Sequence, residues 1–337
     1  MKKNERVLLD HGSGGKIAHR LTSDILLPLF DNSILSLLND GAIFDIQGLR
    51  LAFSTDSYTV DPLFFPGGDI GDLAVNGTVN DIAMCGAVPS YLSMGLIIEE
   101  GFAMDKLEQI LGSMKAAAEK AGVQVVTGDT KVVPKGAADK LFINTSGIGV
   151  IPDTVRVGSN LARPGDRVLV SGTIADHGIT IMTQREGLAF DTPIQSDTAP
   201  LNHLVREMLA VSSQIHVLRD PTRGGVGTAL NEIAEKSNVG IKVFEERIPV
   251  RGEVAGVCEL LGFDPMYLAN EGKLLAFVAA DDADSVLAAM QANEFGRDAC
   301  LIGEVVPDNP GRVVMETRIG GCRILDMLTG EQLPRIC

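Results

Sequence analysis

The sequence predicts an α/β (α+β) protein built of two domains and ending in a flexible tail. Its 337 residues exceed the roughly 250 that a single core usually supports. Patterns typical of helices and strands alternate in two blocks, which are separated by the Pro-, Gly- and Asn-rich stretch 152–166. We therefore expect a first domain at 1–155, a second α/β domain at 156–325 and a tail at 326–337.

Each block contains helix patterns among strand patterns. In order, the first block predicts a strand at 49–53, helices at 69–84 and about 104–121, and buried strands at 123–130 and 140–151. The second of these helices has signals at both ends, because Asp105 lies near its start and Gly122 follows it as a C-cap. The second block predicts a strand at 167–172, a helix near 200–211 and a last strand at 312–316.

The composition disfavours several classes of function. A net charge of −15 argues against binding to nucleic acid or to an anionic membrane, because both favour a basic surface. The longest uncharged run, 82–98, contains Gly86 and Pro89 and does not have the pattern of a membrane span. The start, MKKNERVLLD, lacks the apolar stretch of a signal peptide. We expect a cytoplasmic protein.

The five cysteines include one in an unusual place. They show no CxxC spacing and no paired histidines, so neither a disulfide framework nor a zinc site is expected. Cys85, Cys258 and Cys300 lie in apolar surroundings typical of small core residues. Cys337 is the last residue, where side chains are usually mobile. Either this thiol is incidental, or the protein uses a sulfur atom carried on a flexible arm.

Four aspartates of the first block lie in Gly-, Ser- or Asn-rich contexts, namely Asp40, Asp56, Asp81 and Asp129. Each one alone is compatible with a turn or cap role. Asp81 is less easily explained, because at helical spacing it shares a face with apolar residues, where a carboxylate is costly unless it is paired or binds a metal. A group of such carboxylates would suit Mg²⁺ beside phosphates, since this ion prefers oxygen ligands.

Two glycine-rich stretches have the character of anion-binding loops. HGSGGK begins at His11, and RDPTRGGVG places Arg223 and Gly224 before a predicted helix. Neither matches a Walker or Rossmann pattern, and a flexible turn is the alternative for each. Glu271 in ANEGK and Lys131 in GDTKVV are further candidates, with a solvated turn and a surface lysine as their alternatives.

Several stretches occur in an order that is more specific than any one of them. NDGA, STDS, GDIGDLAVNGTVNDIAMCGAVP, TGDTKV and RDPTRGGV resemble the superfamily of aminoimidazole ribonucleotide (AIR) synthetase, selenophosphate synthetase and thiamine-phosphate kinase. The resemblance covers residues 11 to about 305. HGSGGK, STDSYTVDPLFFPGGDIG, CELLGFDP, NEGKL and PRIC are most similar to the HypE family, the carbamoyl dehydratases of hydrogenase maturation.

The resemblance implies a fold and a site. The N-terminal sheets of two subunits would pack into a barrel-like homodimer, and ATP with Mg²⁺ would lie in a cleft bordered by both domains. The expected metal ligands are Asp56, Asp81 and Asp129. The expected nucleotide contacts comprise these three together with His11, Asp40, Thr130, Asp220, Arg223 and Gly224.

It also implies a reaction. Cys337 would receive a carbamoyl group from the carbamoyltransferase HypF, and the enzyme would dehydrate this group to a thiocyanate. The cyanide would pass to the HypC–HypD complex for the iron of [NiFe]-hydrogenase. Glu271 is the candidate base, and Lys131 would help to neutralise the phosphates.

Two other interpretations stay open at this point. A selenophosphate-synthetase-like kinase would need a cysteine or selenocysteine near the N-terminal glycine loop, where this chain has His11 and no cysteine before Cys85. A non-catalytic carrier that only presents Cys337 would not need the phosphate-site motifs.

Overall fold

The fold is described from a computed structural model, which describes residues 6–12, 14–188, 194–330, 333 and 335–337. The first domain contains α1 (Lys16–Leu21), α2 (Leu27–Phe30), β1 (Ala42–Ile46), β2 (Leu49–Tyr58), β3 (Phe64–Phe65), β4 (Gly68–Asp69), α3 (Ile70–Met84), β5 (Val88–Glu99), α4 (Met104–Ala121), β6 (Gln124–Val133) and β7 (Leu141–Val150). The second contains β8 (Arg167–Val170), α5 (Asp176–Arg185), α6 (Asn202–Val211), β9 (Ile215–Arg219), α7 (Gly225–Ser237), β10 (Gly240–Phe244), α8 (Gly252–Leu261), β11 (Leu275–Val278), α9 (Ala283–Ala292), β12 (Cys300–Val306), β13 (Arg312–Glu316) and β14 (Cys322–Leu325).

Each domain is organised around one sheet. The first sheet has the strand order β1-β2-β7-β5-β6, and the second has the order β14-β13-β10-β12-β8-β11-β9. The short strands β3 and β4 form a separate hairpin. The mixed α/β fold, the helices at 70–84 and 104–121, and the left-handed Gly122 at the end of α4 confirm the predictions from sequence.

Helix α3 lies between the two domains and is buried on nearly all sides. Asp69 caps its start, where the side chain accepts hydrogen bonds from the N–H groups of Gly71 (2.7 Å) and Asp72 (3.2 Å). The helix packs on strands β2 and β7 of its own sheet and also contacts α6 and β9 of the second domain. Only Asp72 and Asp81 in the helix are not fully buried. The sheet and the second domain thus leave Asp81 at an opening between them.

The other face of the first sheet is open. Phe53 and Tyr91 both pair with Ile148, so the three side chains form an apolar row, and Phe53 and Tyr91 are 41% and 50% exposed. The prediction of a buried strand at 123–130 was wrong: β6 is an edge strand and is exposed along nearly its whole length. Within the described part of the chain it has a neighbouring strand on one side only, and the apolar content of the sequence did not reveal this.

The stretch 152–166 joins the domains without a helix or strand, as predicted. It is nevertheless packed into the molecule, because Val155, Val157 and Ala162 are buried. Arg50 donates a hydrogen bond of 2.8 Å to the carbonyl oxygen of Val155. The connection between the domains is therefore irregular but fixed.

The end of the chain also departs from the expected free arm. Ile336 and Cys337 are buried, and both belong to the core cluster of the first domain. Two consecutive buried residues at a terminus need a surface that receives them, and the cleft between the domains provides it. Within the described ranges no helix is long and apolar enough to cross a bilayer.

Candidate active site

Three carboxylates from both domains converge at the opening beside α3. Oxygen atoms of Asp40, Asp81 and Asp220 all lie within 4.8 Å of one another, and we call these residues the carboxylate triad. Asp40 precedes β1, Asp81 lies in α3, and Asp220 directly follows β9. Ser54 of β2 orients the group by donating a hydrogen bond of 2.6 Å to Oδ2 of Asp81.

The triad is unfavourable as three free anions. Burial raises the pKa of Asp81 well above its usual value, and the charges of Asp220 and Asp40 raise it further. Burial together with Asp40 raises the pKa of Asp220 to about 7. Like charges at this distance require a neutralising partner. A set of oxygen donors only, drawn from carboxylates, fits the preference of Mg²⁺.

The triad lines a cavity of about 420 Å³ between the domains. Asp56 lies on the same cavity, and burial raises its pKa while Arg223 opposes the shift. The other lining groups that bear on chemistry are His11, Gly12, Gly14, Arg219, Arg223, Glu232, Lys236, Glu271 and Cys337. Carboxylates and cations in one concave space are the groups that would hold a metal-bound polyphosphate.

Arg223 links the cavity to Cys337. The charge of Cys337 is the largest cause that raises the pKa of the Arg223 guanidinium, followed, after the opposing effect of burial, by the charges of Asp56 and Glu271. Nη1 of Arg223 also donates a hydrogen bond of 3.2 Å to the carbonyl oxygen of Gly12 in the glycine-rich loop. Cys337 lines both this cavity and a neighbouring one that contains Arg223 and Gly224.

The turn after Arg223 needs glycine. Gly224 and Gly225 have φ values of +78° and +64°, and a Cβ atom on Gly225 would approach the carbonyl oxygen of Met266 to 2.6 Å. The Gly-Gly pair thus lets α7 begin directly beside Arg223, as the sequence predicted. The N–H of Gly225 donates to the carbonyl oxygen of Thr222 at 2.9 Å, which closes the turn at the start of the helix, where anions are favoured.

Glu271 is a buried carboxylate with an unused acceptor. Its Oε1 has no hydrogen-bond partner among the described residues, and burial, followed by the charge of Asp56, raises its pKa well above the usual value. Its backbone N–H donates to Oδ1 of Asp197 at 3.0 Å, which fixes the segment. Lys273, two residues on, pairs with Asp197 at 3.3 Å instead of lining the cavity.

Eight of the predicted site residues line the same cavity, and Gly224 lines the adjoining one. The eight are His11, Asp40, Asp56, Asp81, Asp220, Arg223, Glu271 and Cys337. Asp129, Thr130 and Lys131 are not among them, because they lie on the exposed edge strand β6. Asp129 forms an ion pair of 2.9 Å with Lys131 there.

The pairing of the strands explains why Asp129 lies apart from Asp56 and Asp81 within a single chain. Asp129 pairs with Gly95, Gly95 pairs with Asn144, and Asn144 donates to Thr55 across the open face of the sheet. Since side chains alternate along a strand, Asp56 points to the opposite face. Within one chain the three-carboxylate group contains Asp40 and Asp220 together with Asp81, in place of the predicted set.

The sequence analysis missed the cations on the far side of the triad. Arg219 is ion-paired with Asp40 and with Glu232, the latter at 3.0 Å. Lys236 also lines the cavity. Two signals were available: Arg219 directly precedes Asp220 in the glycine-rich motif, and Glu232 and Lys236 are four residues apart on one helix.

The sequence and the fold match a known class of proteins. Residues 38–151 match the N-terminal domain of AIR synthase related proteins, and residues 163–316 match their C-terminal domain. A solved complex of AaThiL with AMPPCP and TMP has a TM-score of 0.70 at 20% identity, covering 93% of this chain and 96% of that one, which shows a shared fold. The chain is thus an AIR synthase related protein.

Closer relatives narrow the class. The chain is 54% identical to the carbamoyl dehydratase HypE of Rhizobium leguminosarum bv. viciae, over 99% of this chain and 96% of the relative, and 47% identical to that of Escherichia coli K12, over 98% and 99%. A solved HypE in complex with ATP has a TM-score of 0.84 at 54% identity and covers 98% of this chain and 100% of that one. A HypE–HypF complex has a TM-score of 0.88 at 49% identity and covers 91% and 99%. The chain belongs to the HypE family of carbamoyl dehydratases, which are ATP-dependent enzymes, as its motifs predicted.

Proposed function

We propose that this chain dehydrates an S-carbamoyl group on its own Cys337 to S-cyanate, using ATP, to supply the CN ligand of the iron in [NiFe]-hydrogenase. The observation that carries the proposal is the position of Cys337, which lines the same cavity as the carboxylate triad, Arg223 and Glu271. An incidental terminal thiol has no reason to be buried beside such a group.

The chemistry requires a leaving group. The γ-phosphoryl group of ATP moves to the carbamoyl oxygen, the C–O bond then breaks to release phosphate, and the two N–H protons leave. The balance is the loss of one water from the carbamoyl group and the formation of ADP and phosphate. Catalysis of such transfers is mainly positioning and neutralisation of charge.

Each role has a candidate in the cavity. Asp40, Asp81 and Asp220, with Asp56 beside them, would hold Mg²⁺, which neutralises phosphate charge when bound. Arg223 lines both cavities that contain Cys337, so it is the candidate to support the negative charge that develops on the phosphoryl group and the carbamoyl oxygen. This role replaces the one predicted for Lys131 within a single chain.

Glu271 is the proposed base for the carbamoyl nitrogen. Its unpartnered Oε1 is free to accept a proton, and its burial beside Asp56 favours the protonated form once a proton has been accepted. A carboxylate with a raised pKa is a stronger base than an exposed one, which suits removal of a weakly acidic N–H proton.

We also propose that the active form is a homodimer in which a second copy supplies Asp129, Thr130 and Lys131. The first sheet has β1 at one edge and β6 at the other, and its outer face carries the apolar row of Phe53, Ile148 and Tyr91. Two such sheets that close into a barrel place the β6 edge of one copy beside the β1 edge of the other. Asp40 lies two residues before the start of β1, so the motif around Asp129 would then reach the site of the second copy.

The partners follow from the reaction. Cys337 has to meet a carbamoyl donor and later a cyanide acceptor, and both steps need the buried end of the chain to leave the cleft. HypF is the proposed donor, in agreement with the solved HypE–HypF complex of a relative, and the HypC–HypD complex is the proposed acceptor.

Mass spectrometry of the last peptide tests the proposal. After incubation with HypF, carbamoyl phosphate and Mg-ATP, the peptide that ends at Cys337 should gain about 25 Da, since a cyano group replaces hydrogen on a covalently modified thiol. Cys337→Ala should fold and give no such peptide, and Cys322→Ala is the matched control at an exposed cysteine. Modification of another cysteine would overturn the proposal.

A HypF-free arm separates the two alternative functions. A kinase of the selenophosphate-synthetase type would turn over ATP when Cys337 carries no carbamoyl group. A passive carrier would not hydrolyse ATP whether or not Cys337 is carbamoylated. The proposed dehydratase hydrolyses one ATP for each thiocyanate that forms on Cys337.

A further inference from the structure

The last three residues are held by contacts that the proposed chemistry does not use. The N–H of Thr59 donates to an oxygen of the main-chain carboxylate of Cys337 at 2.8 Å, and the N–H of Asp61 donates to the carbonyl oxygen of Arg335 at 3.3 Å. The spacing of two residues on each side is that of an added antiparallel strand. Because these bonds involve main-chain atoms only, they place the end of the chain in register with the segment that follows β2.

Helix α5 of the second domain forms hydrogen bonds with the same residues. Nε2 of His177, at the start of this helix, lies 2.7 Å from the carbonyl oxygen of Ile336. Arg185, its last residue, donates hydrogen bonds to the carbonyl oxygens of Asp61 and Arg335. Both domains thus hold one short stretch of main chain, and α5 contacts it at both ends of the helix.

The tautomer of His177 follows from its partners. A carbonyl oxygen can only accept, so Nε2 carries the proton, and Nδ1 accepts from the hydroxyl of Ser196 at 2.8 Å. The ring is fully buried, and the ring of Phe65 lies edge-on at 5.6 Å. Ser196 is itself held by a hydrogen bond of 2.9 Å from its N–H to the carbonyl oxygen of Pro66. The imidazole therefore has one fixed orientation, which aims its N–H at the tail.

Arg335 adds recognition of a side chain. Its Nε donates to the carbonyl oxygen of Thr59 at 2.8 Å, and its guanidinium pairs with Asp139. Its φ is +53°, in the left-handed region that a residue with a side chain rarely adopts. This conformation persists only where the surroundings hold it. Removal of the holding groups should therefore release the end of the chain rather than merely loosen it.

We propose that His177, Arg185 and Asp139 form a latch that holds residues 335–337 in the cleft and so positions the sulfur of Cys337 for dehydration. They are positioning residues, since they contact the main chain and Arg335, whereas Arg223 and Glu271 adjoin the reacting group. The inference rests on the proposed function in that the latched state is the one in which dehydration occurs. Its opening is what presents Cys337 to a partner.

The latch makes a quantitative prediction. One hydrogen bond of this kind shifts an equilibrium by about 5- to 10-fold. A variant without the Arg185 donors should therefore populate the released state more, and its Cys337 should react with a soluble alkylating agent at least about 5-fold faster. The same variant should dehydrate its carbamoylated tail more slowly, because the modified sulfur is positioned for a smaller fraction of the time.

The experiment uses the full-length chain and two readouts. The first is the rate of iodoacetamide labelling of Cys337 relative to Cys322, the exposed internal reference, followed by peptide mass spectrometry. The second is the single-turnover rate at which protein carbamoylated by HypF forms the thiocyanate. The affinity for ATP is measured beside it by calorimetry. The variants are Arg185→Met, Arg185→Lys, His177→Phe and His177→Gln. Arg50→Met is the matched control, because Arg50 also donates to a main-chain carbonyl but far from the tail in sequence and contact.

The latch predicts that Arg185→Met and His177→Phe label faster at Cys337 and turn over more slowly, with unchanged ATP affinity. Arg185→Lys and His177→Gln, which keep a donor, should lie between these variants and the wild type, and Arg50→Met should match the wild type. Unchanged labelling and turnover in Arg185→Met would refute the latch. Equal gains in labelling at the buried Cys85 would also refute it, because they would show general unfolding.

Asp139→Asn and Arg335→Met test the latch from the exposed side, should a His177 variant fail to fold. Both should raise Cys337 labelling in the same way, and wild-type labelling in both would count against the proposal. If the wild-type protein forms no thiocyanate, the proposed function is refuted. The comparison of Cys337 labelling between variants then still tests the latch.

Discussion

Replacing Asp81 with asparagine removes one negative charge from the carboxylate triad while keeping its shape. The three oxygens lie within 4.8 Å of one another, so each ionised pair repels by about 3.5 kcal/mol or more at an effective dielectric constant of about 20. The carbonyl oxygen of the new amide can still accept the hydrogen bond from Ser54. In the absence of Mg²⁺ we therefore expect Asp81→Asn to be at least as stable as the wild type.

The same substitution should be costly once Mg²⁺ is present. Loss of one anionic ligand should weaken Mg²⁺-dependent ATP binding by at least about 100-fold, which corresponds to about 2.7 kcal/mol. Ligand at about 100 times its Kd stabilises the wild type by about 2.7 kcal/mol, and the variant should gain almost nothing at that concentration. Turnover should fall below detection in a well-folded protein.

Urea unfolding with and without Mg-ATP, beside titration calorimetry, measures both parts. Asp284→Asn, an exposed carboxylate of α9, is the matched control and should keep the full gain. The reasoning fails if Asp81→Asn gains as much stability from Mg-ATP as the wild type. It also fails if the variant is markedly less stable without Mg²⁺, because the aspartate would then be structural.

Three further predictions concern Glu271, the proposed dimer and Asp72 at the start of α3. Glu271→Gln should bind ATP normally but stall cyanate formation, as seen by calorimetry and peptide mass spectrometry, and loss of ATP binding would make Glu271 a structural or metal residue. Mixed dimers of Asp81→Asn and Asp129→Asn chains should recover activity that neither homodimer has, since one of the two sites is then intact, and no recovery would refute supply across subunits. Burial raises the pKa of Asp72 from 3.8 to about 7, so its contribution to stability is complete below about pH 4 and is lost as pH rises through about 7. The free energy of unfolding, measured with urea, should therefore decline from pH 5 to pH 8, and Asp72→Asn should reduce this decline by about 1–2 kcal/mol. An equal decline in both proteins would contradict the shift.

Local chemistry explains what could be predicted from sequence. The cap at Gly122, the helix from Ile70 and the Gly-Gly turn before α7 depend on residues that are close in the chain, so periodicity and turn preferences were sufficient. The motif order predicted the family, and the costly position of Asp81 on a helix predicted a group of carboxylates around it. Arg219 and Lys236 were missed because their role depends on Asp40, which is distant in sequence.

The sequence by itself determined the two-domain α/β class, the family and eight of the residues that line the cavity. Only the tertiary structure decided which carboxylates meet. The alternation of side chains along a strand sends Asp129 and Asp56 to opposite faces of one sheet, and this depends on strand pairing rather than on local preference. The position of Cys337 was also beyond sequence, because a terminus is mobile by default and becomes fixed only where two domains create a surface that binds its main chain.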